Sequence, residues 1–166
     1  MPTRVRLEQC DVRHLRYADG VYDVVVCFEV IEHVDDTEVV LDEFARVLVD
    51  DGILVVSSPN RDVFPPGNPH HRRELVPDEL HVLLSQRFAN VELFRQHAWI
   101  ATAILEDAEQ QSADGSPLES IDVRKLLGRT PGYETYTVAV ASNTNIPRVR
   151  SLAVLTGLED LREVLA

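Results

Sequence analysis

Cysteines and export signals are scarce in this 166-residue chain. Only Cys10 and Cys27 are present, and Cys27 lies in an apolar run, where a buried thiol is a better interpretation than a disulfide partner. The N-terminus lacks the long apolar centre of a secretory signal, and no apolar run is long enough to cross a membrane. We therefore expect a reducing, cytoplasmic setting and no membrane contact.

Basic residues are also few, with 16 Lys and Arg against 28 Asp and Glu, giving a net charge of −12. A chain of this sign repels phosphate backbones, so general nucleic-acid binding is disfavoured. The acids concentrate in residues 29–44, "EVIEHVDDTEVVLDEF", which contain no Lys or Arg. Glycine is sparse too, with seven residues in the chain. No two of them lie close enough to form a Gly-rich phosphate-binding loop.

Hydrophobic patterns predict strand, helix and strand between residues 22 and 60. "YDVVVCF" is a continuous β-branched run, typical of a strand buried on both faces of a parallel sheet. In "DDTEVVLDEFARVLVDDG" apolar residues recur at helical spacing, Asp35, Asp36 or Thr37 can cap the start, and Gly52 supplies the stop. "ILVVSSPN" is a second buried strand. A crossover of this length predicts a parallel βαβ unit in an open α/β sheet.

Further elements are predicted on either side of this unit. "RVRLEQCDV" alternates like a short strand with Val5 and Leu7 inward, "VPDELHVLLSQRF" has a helical stripe, and "YETYTVAVASN" is a late strand. "NVELFRQHAWIATAIL" begins as a strand and can continue as a helix. We expect one α/β domain over residues 1–145 with a mobile polar insert at about 106–120, and a helical tail over 146–166.

Ligands of open α/β sheets bind beyond the carboxyl ends of the strands, which places "CFEVIEH" and "SSPNR" at one rim. If residues 29–33 begin a helical turn, Glu29, Glu32 and His33 share a face. Such a set can hold a divalent cation or tune groups for proton transfer. Acids near a helix start are also favoured by the dipole alone, so spacing leaves both interpretations open. His70 and His71 can add a ligand or be plain surface residues.

At these residues the chain resembles the class I S-adenosylmethionine-dependent methyltransferases. The fourth strand of that family is followed by E-V-I/L-E-H-V, and its fifth strand ends in S-x-P-N, as in "YDVVVCFEVIEHVDD" and "ILVVSSPN". The likeness covers residues 4–60 well and continues more loosely to "ETYTVAVAS". It implies a partial Rossmann-like methyltransferase fold: a mostly parallel sheet, helices on both faces and an antiparallel late strand.

The resemblance also implies residue roles. On the cofactor side, Asp11 matches the acid that binds the adenine amino group, and Val12, Cys27, Phe28 and Glu29 match segments that line the adenosine and methionine. On the acceptor side it implies His33, Asn60, and His70, His71 and Arg72 of "NPHHRREL".

A narrower resemblance, to small-RNA 3′-terminal 2′-O-methyltransferases, implies a divalent metal held by Glu29, Glu32, His33 and His71. Ubiquinone-pathway O-methyltransferases share a similar segment. A cation there lowers the pKa of the acceptor hydroxyl. Without a metal, His33 serves as general base beside Glu32, since its pKa is closest to neutral.

The family's first strand and Gly-rich loop have no counterpart in this sequence, which matches the family from the third strand onward. We therefore expect weak or no binding of S-adenosylmethionine by this chain alone. We also expect an unpaired apolar edge at "YDVVVCF", which invites self-association or re-docking of "RVRLEQC" beside it.

The leading hypothesis is O-methylation of a small-molecule or sugar-like acceptor, and for the truncated chain as it stands both activity and inactivity are open. The alternative is a non-catalytic remnant or interaction module. A nicotinamide-dependent Rossmann oxidoreductase shares the architecture but needs a Gly-rich fingerprint and leaves "EVIEHV" unexplained. The acidic rim favours a neutral or cationic acceptor, whereas Arg72 and Arg73 favour one that is partly anionic.

Overall fold

The computed structural model describes residues 6–64, 67–97 and 134–148. Within these ranges the chain forms four strands, two α-helices and one short 3₁₀ turn. The strands are β1 (Tyr22–Cys27), β2 (Leu48–Pro59), β3 (Asn90–Gln96) and β4 (Tyr136–Ser142). The helices are α1 (Thr37–Val47) and α2 (Pro77–Ser85), and the 3₁₀ turn is Ile31–His33.

The strands form one sheet in the order β1-β2-β4-β3. β1 and β2 are parallel, with Val25 opposite Leu54 and Cys27 opposite Val56. β4 is inserted antiparallel between β2 and β3. The strand–helix–strand unit, the α/β class and the antiparallel late strand are thus confirmed. The prediction of a mostly parallel sheet is wrong for the described residues, because one pairing is parallel and two are antiparallel. Helices on both faces stay a prediction, since both described helices pack into one core on one face.

The core lies between one face of this sheet and both helices. The side chains of this core are almost fully buried. The sheet contributes Cys27, Leu54, Val56, Ala139 and Ala141, and the helices contribute Val40, Leu41, Phe44, Leu80, Leu83 and Leu84. Each fully buried Leu, Val or Phe stabilises the fold by about 1.5–3 kcal/mol through removal of apolar surface from water. The core therefore fixes how β1, β2 and α1 present the residues that follow β1.

The boundaries of α1 differ from the sequence-based prediction. No side chain caps its start, and the Thr37 hydroxyl instead donates to the Ile31 carbonyl at 3.4 Å. The helix ends at Val47, and β2 starts at Leu48, so the prediction that Gly52 stops the helix is wrong. Gly52 has a different use: a Cβ there would lie 2.8 Å from Leu48 Cδ2 and 2.9 Å from the Val49 carbonyl oxygen. The bend inside β2 between Leu48 and Ile53, where the register with β1 shifts, therefore requires glycine.

The predicted first strand is absent from the described part of "RVRLEQCDV". Residues 6–11 are irregular, a turn follows, and Leu7 is 91% exposed instead of facing inward. A strand is stable only when its backbone groups pair with a neighbour, and no strand of the described sheet lies beside this segment. Local alternation was therefore insufficient evidence for a strand.

β1 is an edge strand, as expected, but the prediction that it is buried on both faces is wrong. Cys27 points into the core, whereas Val24 is 51% and Val26 is 59% exposed. Only β2 pairs with β1 in the described sheet. The alternation of the strand therefore buries one face of β1 and leaves an apolar face open.

Some predictions fall on residues outside the described ranges. These are the helical continuation after β3, the polar insert at about 106–120 and the greater part of the 146–166 tail. Among the described helices, none has the length and hydropathy that a membrane span requires.

Candidate active site

A short turn delivers the acidic residues that follow β1 to the carboxyl end of the sheet. Glu29 adopts a left-handed backbone conformation with φ of 54°, and the 3₁₀ turn Ile31–His33 follows. The predicted helical turn over residues 29–33 is thus a left-handed residue and a 3₁₀ turn. A non-glycine residue in this region costs of order 1–3 kcal/mol and occurs where surrounding contacts enforce it.

The loop of residues 67–75, which follows β2, packs against this turn. The backbone N–H groups of Arg72 and Arg73 both donate to the Glu32 carbonyl, at 2.7 and 3.2 Å. An isolated bridge between Asn60 and Leu75 anchors the far end of the loop to the end of β2. The loop thereby carries His71 to the turn that holds Glu32 and His33.

Three side chains converge where the loop meets the turn. Glu32, His33 and His71 each offer a ligand atom, and these atoms all lie within 4.8 Å of one another. The rings of His33 and His71 are 4.9 Å apart at 77°, in an edge-to-face arrangement. We call these three residues the rim cluster.

Glu29, which the sequence placed in the same set, has another partner. Its backbone N–H donates to Ser57 Oγ at 3.1 Å, and Ser57 Oγ donates to Glu29 Oε1 at 2.6 Å. These contacts bind the left-handed residue after β1 to β2 and occupy one carboxylate oxygen of Glu29.

Glu32 is buried without the hydrogen bonds that a carboxylate needs. It is 1% exposed, and neither carboxylate oxygen has a hydrogen-bond partner within the described ranges. Burial raises the pKa of Glu32, and the Glu29 charge adds to this effect, whereas His33 and His71 oppose it. An unpaired buried carboxylate is costly, so the arrangement favours either a proton or a cation at this point.

Both histidines have one ring nitrogen engaged away from Glu32. His33 Nδ1 lies 3.1 Å from the His70 carbonyl, which can only accept, so Nδ1 donates. His71 Nδ1 lies 2.5 Å from Glu74 Oε1. In each neutral ring Nε2 therefore carries the lone pair. His33 Nε2 is 3.7 Å from Glu32 Oε1.

Aromatic rings continue from the rim cluster toward β4. Phe64 lies 5.4 Å from the His71 ring and 5.7 Å from the Tyr136 ring, between centroids. Burial raises the pKa of Tyr136, with smaller contributions from the charges of Glu29 and Glu32. The phenol thus stays protonated beside the acidic rim.

The residues that the resemblance assigns to the cofactor lie in two places. Cys27, Phe28 and Glu29 are consecutive at the end of β1, with Phe28 54% exposed and Cys27 buried. Burial, with Glu32 and Glu29 nearby, raises the pKa of Cys27 to about 12, so this thiol is not a nucleophile near neutral pH.

Asp11 and half-buried Val12 lie in the irregular segment before β1. The Asp11 carboxylate accepts from the Arg13 backbone N–H at 3.0 Å and from the guanidinium at 2.7–3.3 Å. These bonds hold the pKa of Asp11 well below its usual range. A cofactor that binds Asp11 must share this carboxylate with Arg13.

The predicted acceptor-side residues have unequal exposure. Asn60 is buried, and its Oδ1 accepts from the Asp62 backbone N–H at 3.2 Å, which shapes the loop. His70 is exposed and contributes its carbonyl to His33. Arg72 is 60% exposed and lies 4.0 Å from Asp35.

Ion pairs engage the other two arginines near this loop. Arg73 pairs with Glu38 at 2.8 Å, and Arg61 binds Glu79 at 2.9 Å. Arg72 is thus the least tightly paired of the three. A strongly anionic acceptor would meet one weakly paired cation beside several carboxylates.

The rim cluster has the chemistry of a divalent metal site. Two imidazole nitrogens with free lone pairs and a buried unpaired carboxylate form a two-His, one-carboxylate donor set. The second nitrogen of each histidine is bound to an acceptor, as in most protein metal sites. The rim cluster therefore fits a divalent cation. Sequence patterns did not predict four further residues near the site, which are Ser57, Phe64, Glu74 and Tyr136.

Comparison with known proteins points in one direction. Residues 1–56 match the model of a family described as "Methyltransferase domain". A probable S-adenosylmethionine-dependent methyltransferase of Mycobacterium tuberculosis is 48% identical over 86 residues, covering 49% of this chain and 31% of that protein. One of Mycolicibacterium smegmatis is 42% identical over 99 residues, covering 54% and 38%. The chain thus spans about a third of the length of these relatives.

Solved structures share the fold. A methyltransferase of Thermotoga maritima, described as a possible histamine N-methyltransferase, superposes with a TM-score of 0.59 at 20% identity, covering 84% of this chain and 65% of that one. One from Archaeoglobus fulgidus has a TM-score of 0.56 at 16% identity, covering 81% and 66%. The resemblance inferred from "EVIEHV" and "SSPN" is confirmed by these sequence and fold matches.

Proposed function

We propose that this chain, which resembles the class I S-adenosylmethionine-dependent methyltransferases in sequence and fold, provides the acceptor half of a methyltransferase site directed at a hydroxyl group. The single observation that carries this proposal is the rim cluster. The Glu32 carboxylate is buried without a hydrogen bond, 3.7 Å from His33 Nε2, at the sheet edge where ligands of this fold class bind.

The chain's own residues supply the base. His33 carries its proton on Nδ1, bound to the His70 carbonyl, so Nε2 accepts the proton of an acceptor hydroxyl. Glu32, 3.7 Å from Nε2, stabilises the imidazolium that forms. S-adenosylmethionine, when bound, supplies the methyl group, whose bond to sulfur breaks as the carbon–oxygen bond forms.

A divalent cation at the rim cluster is the second part of the proposal. Glu32, His33 and His71 would hold it, while Glu29 stays bound to Ser57. Such an ion, when bound, lowers the pKa of a coordinated hydroxyl. Metal and His33 base chemistry are alternatives, because a metal on Nε2 removes the lone pair that would accept a proton.

The acceptor that fits this rim is small and uncharged or weakly cationic. The ring surfaces of Phe64, His71 and Tyr136 offer stacking contacts, and the carboxylates of Glu29 and Glu32 disfavour polyanions. We therefore propose a phenolic or sugar-like hydroxyl acceptor and no polynucleotide.

Calorimetric titration of the chain with S-adenosylmethionine, with and without Mn²⁺ or Mg²⁺, tests the proposal. We expect weak cofactor binding, because the sequence has no Gly-rich loop. Methyl transfer from S-adenosylmethionine to a panel of phenols and sugars is then measured for the chain and for His33→Ala. Lack of both binding and transfer at millimolar cofactor would instead support a non-catalytic interaction module.

His33→Ala should remove base chemistry, and Arg73→Ala, on the adjoining loop but ion-paired with Glu38, is the matched control. If the two variants transfer methyl groups equally well, His33 has no chemical role and the proposal is wrong.

A further inference from the structure

A carboxylate behind the rim cluster has no role in the reaction described above. Glu74 follows His71 by three residues in the same loop, and its Oε1 lies 2.5 Å from His71 Nδ1. The Glu74 side chain is 16% exposed and the His71 side chain is 8% exposed, so water competes little for this hydrogen bond. A hydrogen bond between such partners is stronger than one on the surface.

We propose that Glu74 is a positioning residue that keeps His71 in the Nδ1–H tautomer and so directs the Nε2 lone pair to Glu32 and His33. The reason is the chemistry of the two groups. An ionised carboxylate only accepts, so the neutral imidazole must present its proton at Nδ1. Nε2 is then the nitrogen left to bind a cation or an acceptor hydroxyl.

The surroundings of His71 make Glu74 the group that determines its tautomer. Its ring contacts are edge-to-face with His33 at 4.9 Å and tilted by 34° with Phe64 at 5.4 Å, between centroids. They restrict the ring plane but not the site of its proton. The backbone of the loop is separately fixed, since the N–H groups of Arg72 and Arg73 bind the Glu32 carbonyl.

The same arrangement is repeated on the other side of the rim cluster. The His70 carbonyl accepts from His33 Nδ1 at 3.1 Å, so both imidazoles have their Nδ1 groups held and their Nε2 groups free. The charged carboxylate is a stronger hydrogen-bond acceptor than the carbonyl. Loss of such a partner typically lowers metal affinity about 10- to 100-fold.

Glu74→Ala and Glu74→Gln separate the effects of charge and of hydrogen bonding. Glu74→Ala removes the acceptor, so the His71 tautomer should become mixed, and Mn²⁺ affinity should fall about 10- to 100-fold. Glu74→Gln keeps an oxygen that can accept from Nδ1–H, so the tautomer should be retained and the loss should be smaller. Glu38→Ala, which releases the exposed Arg73 partner from the same loop, should change neither measurement.

The measurements use the whole chain. Two-bond ¹H–¹⁵N correlation spectra at pH 8 report the tautomer of His71, calorimetry reports Mn²⁺ binding, and thermal melting checks that the variants fold. The inference is overturned if His71 in Glu74→Ala keeps a pure Nδ1–H tautomer, or if the parent chain does not show that tautomer.

The inference rests on the proposed function only through the membership of His71 in the rim cluster, and the two can fail separately. A parent chain that binds no Mn²⁺ contradicts the metal proposal, and the tautomer spectra then still decide the role of Glu74. If the parent chain and Glu74→Ala bind Mn²⁺ with equal affinity, Glu74 has no role in metal binding.

Discussion

Ser57 and Glu29 hold each other at two points across the ends of β2 and β1. Ser57 Oγ accepts from the Glu29 N–H at 3.1 Å and donates to Glu29 Oε1 at 2.6 Å. This reciprocal pair spans 28 positions of sequence and keeps Glu29 at φ of 54°. It therefore stabilises the bend that aims the following turn at the rim.

Ser57→Ala should destabilise the chain by about 1–2 kcal/mol, because it leaves the partly buried N–H and a carboxylate oxygen of Glu29 without their partner. Ser58→Ala is the control, since Ser58 is equally buried but its hydroxyl makes only a 3.5 Å contact with the Pro59 carbonyl. Urea unfolding measures both free energies. Equal losses for the two variants would show that the pair with Glu29 contributes nothing specific.

Glu32→Met should stabilise the metal-free chain, by about 1–3 kcal/mol, because it replaces an unpaired buried carboxylate with an apolar group of similar volume. The same change should abolish any rise in melting temperature on addition of Mn²⁺. Glu38→Met removes an exposed carboxylate that is paired with Arg73, so we expect a change below about 1 kcal/mol and an intact Mn²⁺ response. Destabilisation by Glu32→Met would mean that Glu32 has a stabilising partner.

Glu43 should make stability depend on acidic pH. Its carboxylate binds Arg46 and accepts from the Leu15 N–H at 2.7 Å, and the Arg46 hydrogen bonds lower the pKa of Glu43 to about 2. The folded pKa is below the unfolded value near 4.5, so this stabilisation is present above pH 4.5 and is lost as the pH falls toward 2.

Glu43→Gln should therefore be less stable than the parent chain at pH 7, by about 1–3 kcal/mol, and the difference should shrink between pH 4.5 and pH 3. Urea unfolding at several pH values measures it. In an Arg46→Met background the pH dependence of the same substitution should be smaller, since its main cause is gone. A difference that stays constant with pH would contradict the assigned cause.

Self-association through the open edge of β1 stays a prediction. Val24 and Val26 expose an apolar strand face, and β1 pairs only with β2 in the described sheet. We expect light scattering at micromolar concentration to give a mass above that of one chain, and Val26→Lys to reduce it. Val82→Lys, at a similarly exposed valine on α2, should leave the mass unchanged. A monomeric parent chain contradicts the prediction.

Hydrophobic periodicity along the sequence was sufficient to predict the helices and strands that bury one face against the core. The helical spacing of Val40, Phe44, Val47 and Leu48 predicts α1, and the first three are buried in that helix, whereas Leu48 begins β2. β2 and β4 were predicted from β-branched runs. The predictions failed where a partner elsewhere in the chain decided the outcome, as for Leu7, which alternates like a strand residue but has no strand beside it.

The sequence by itself determined the strand–helix–strand unit, the family resemblance and the position of Glu32 and His33 just after β1, because these depend on periodicity and on residues close in the chain. Only the tertiary structure decided which atoms meet. It bound Glu29 to Ser57, paired His71 with Glu74 and brought Tyr136 to the acidic rim. The folding of the 67–75 loop and the register of β4 created the decisive contacts, and no periodicity encodes them.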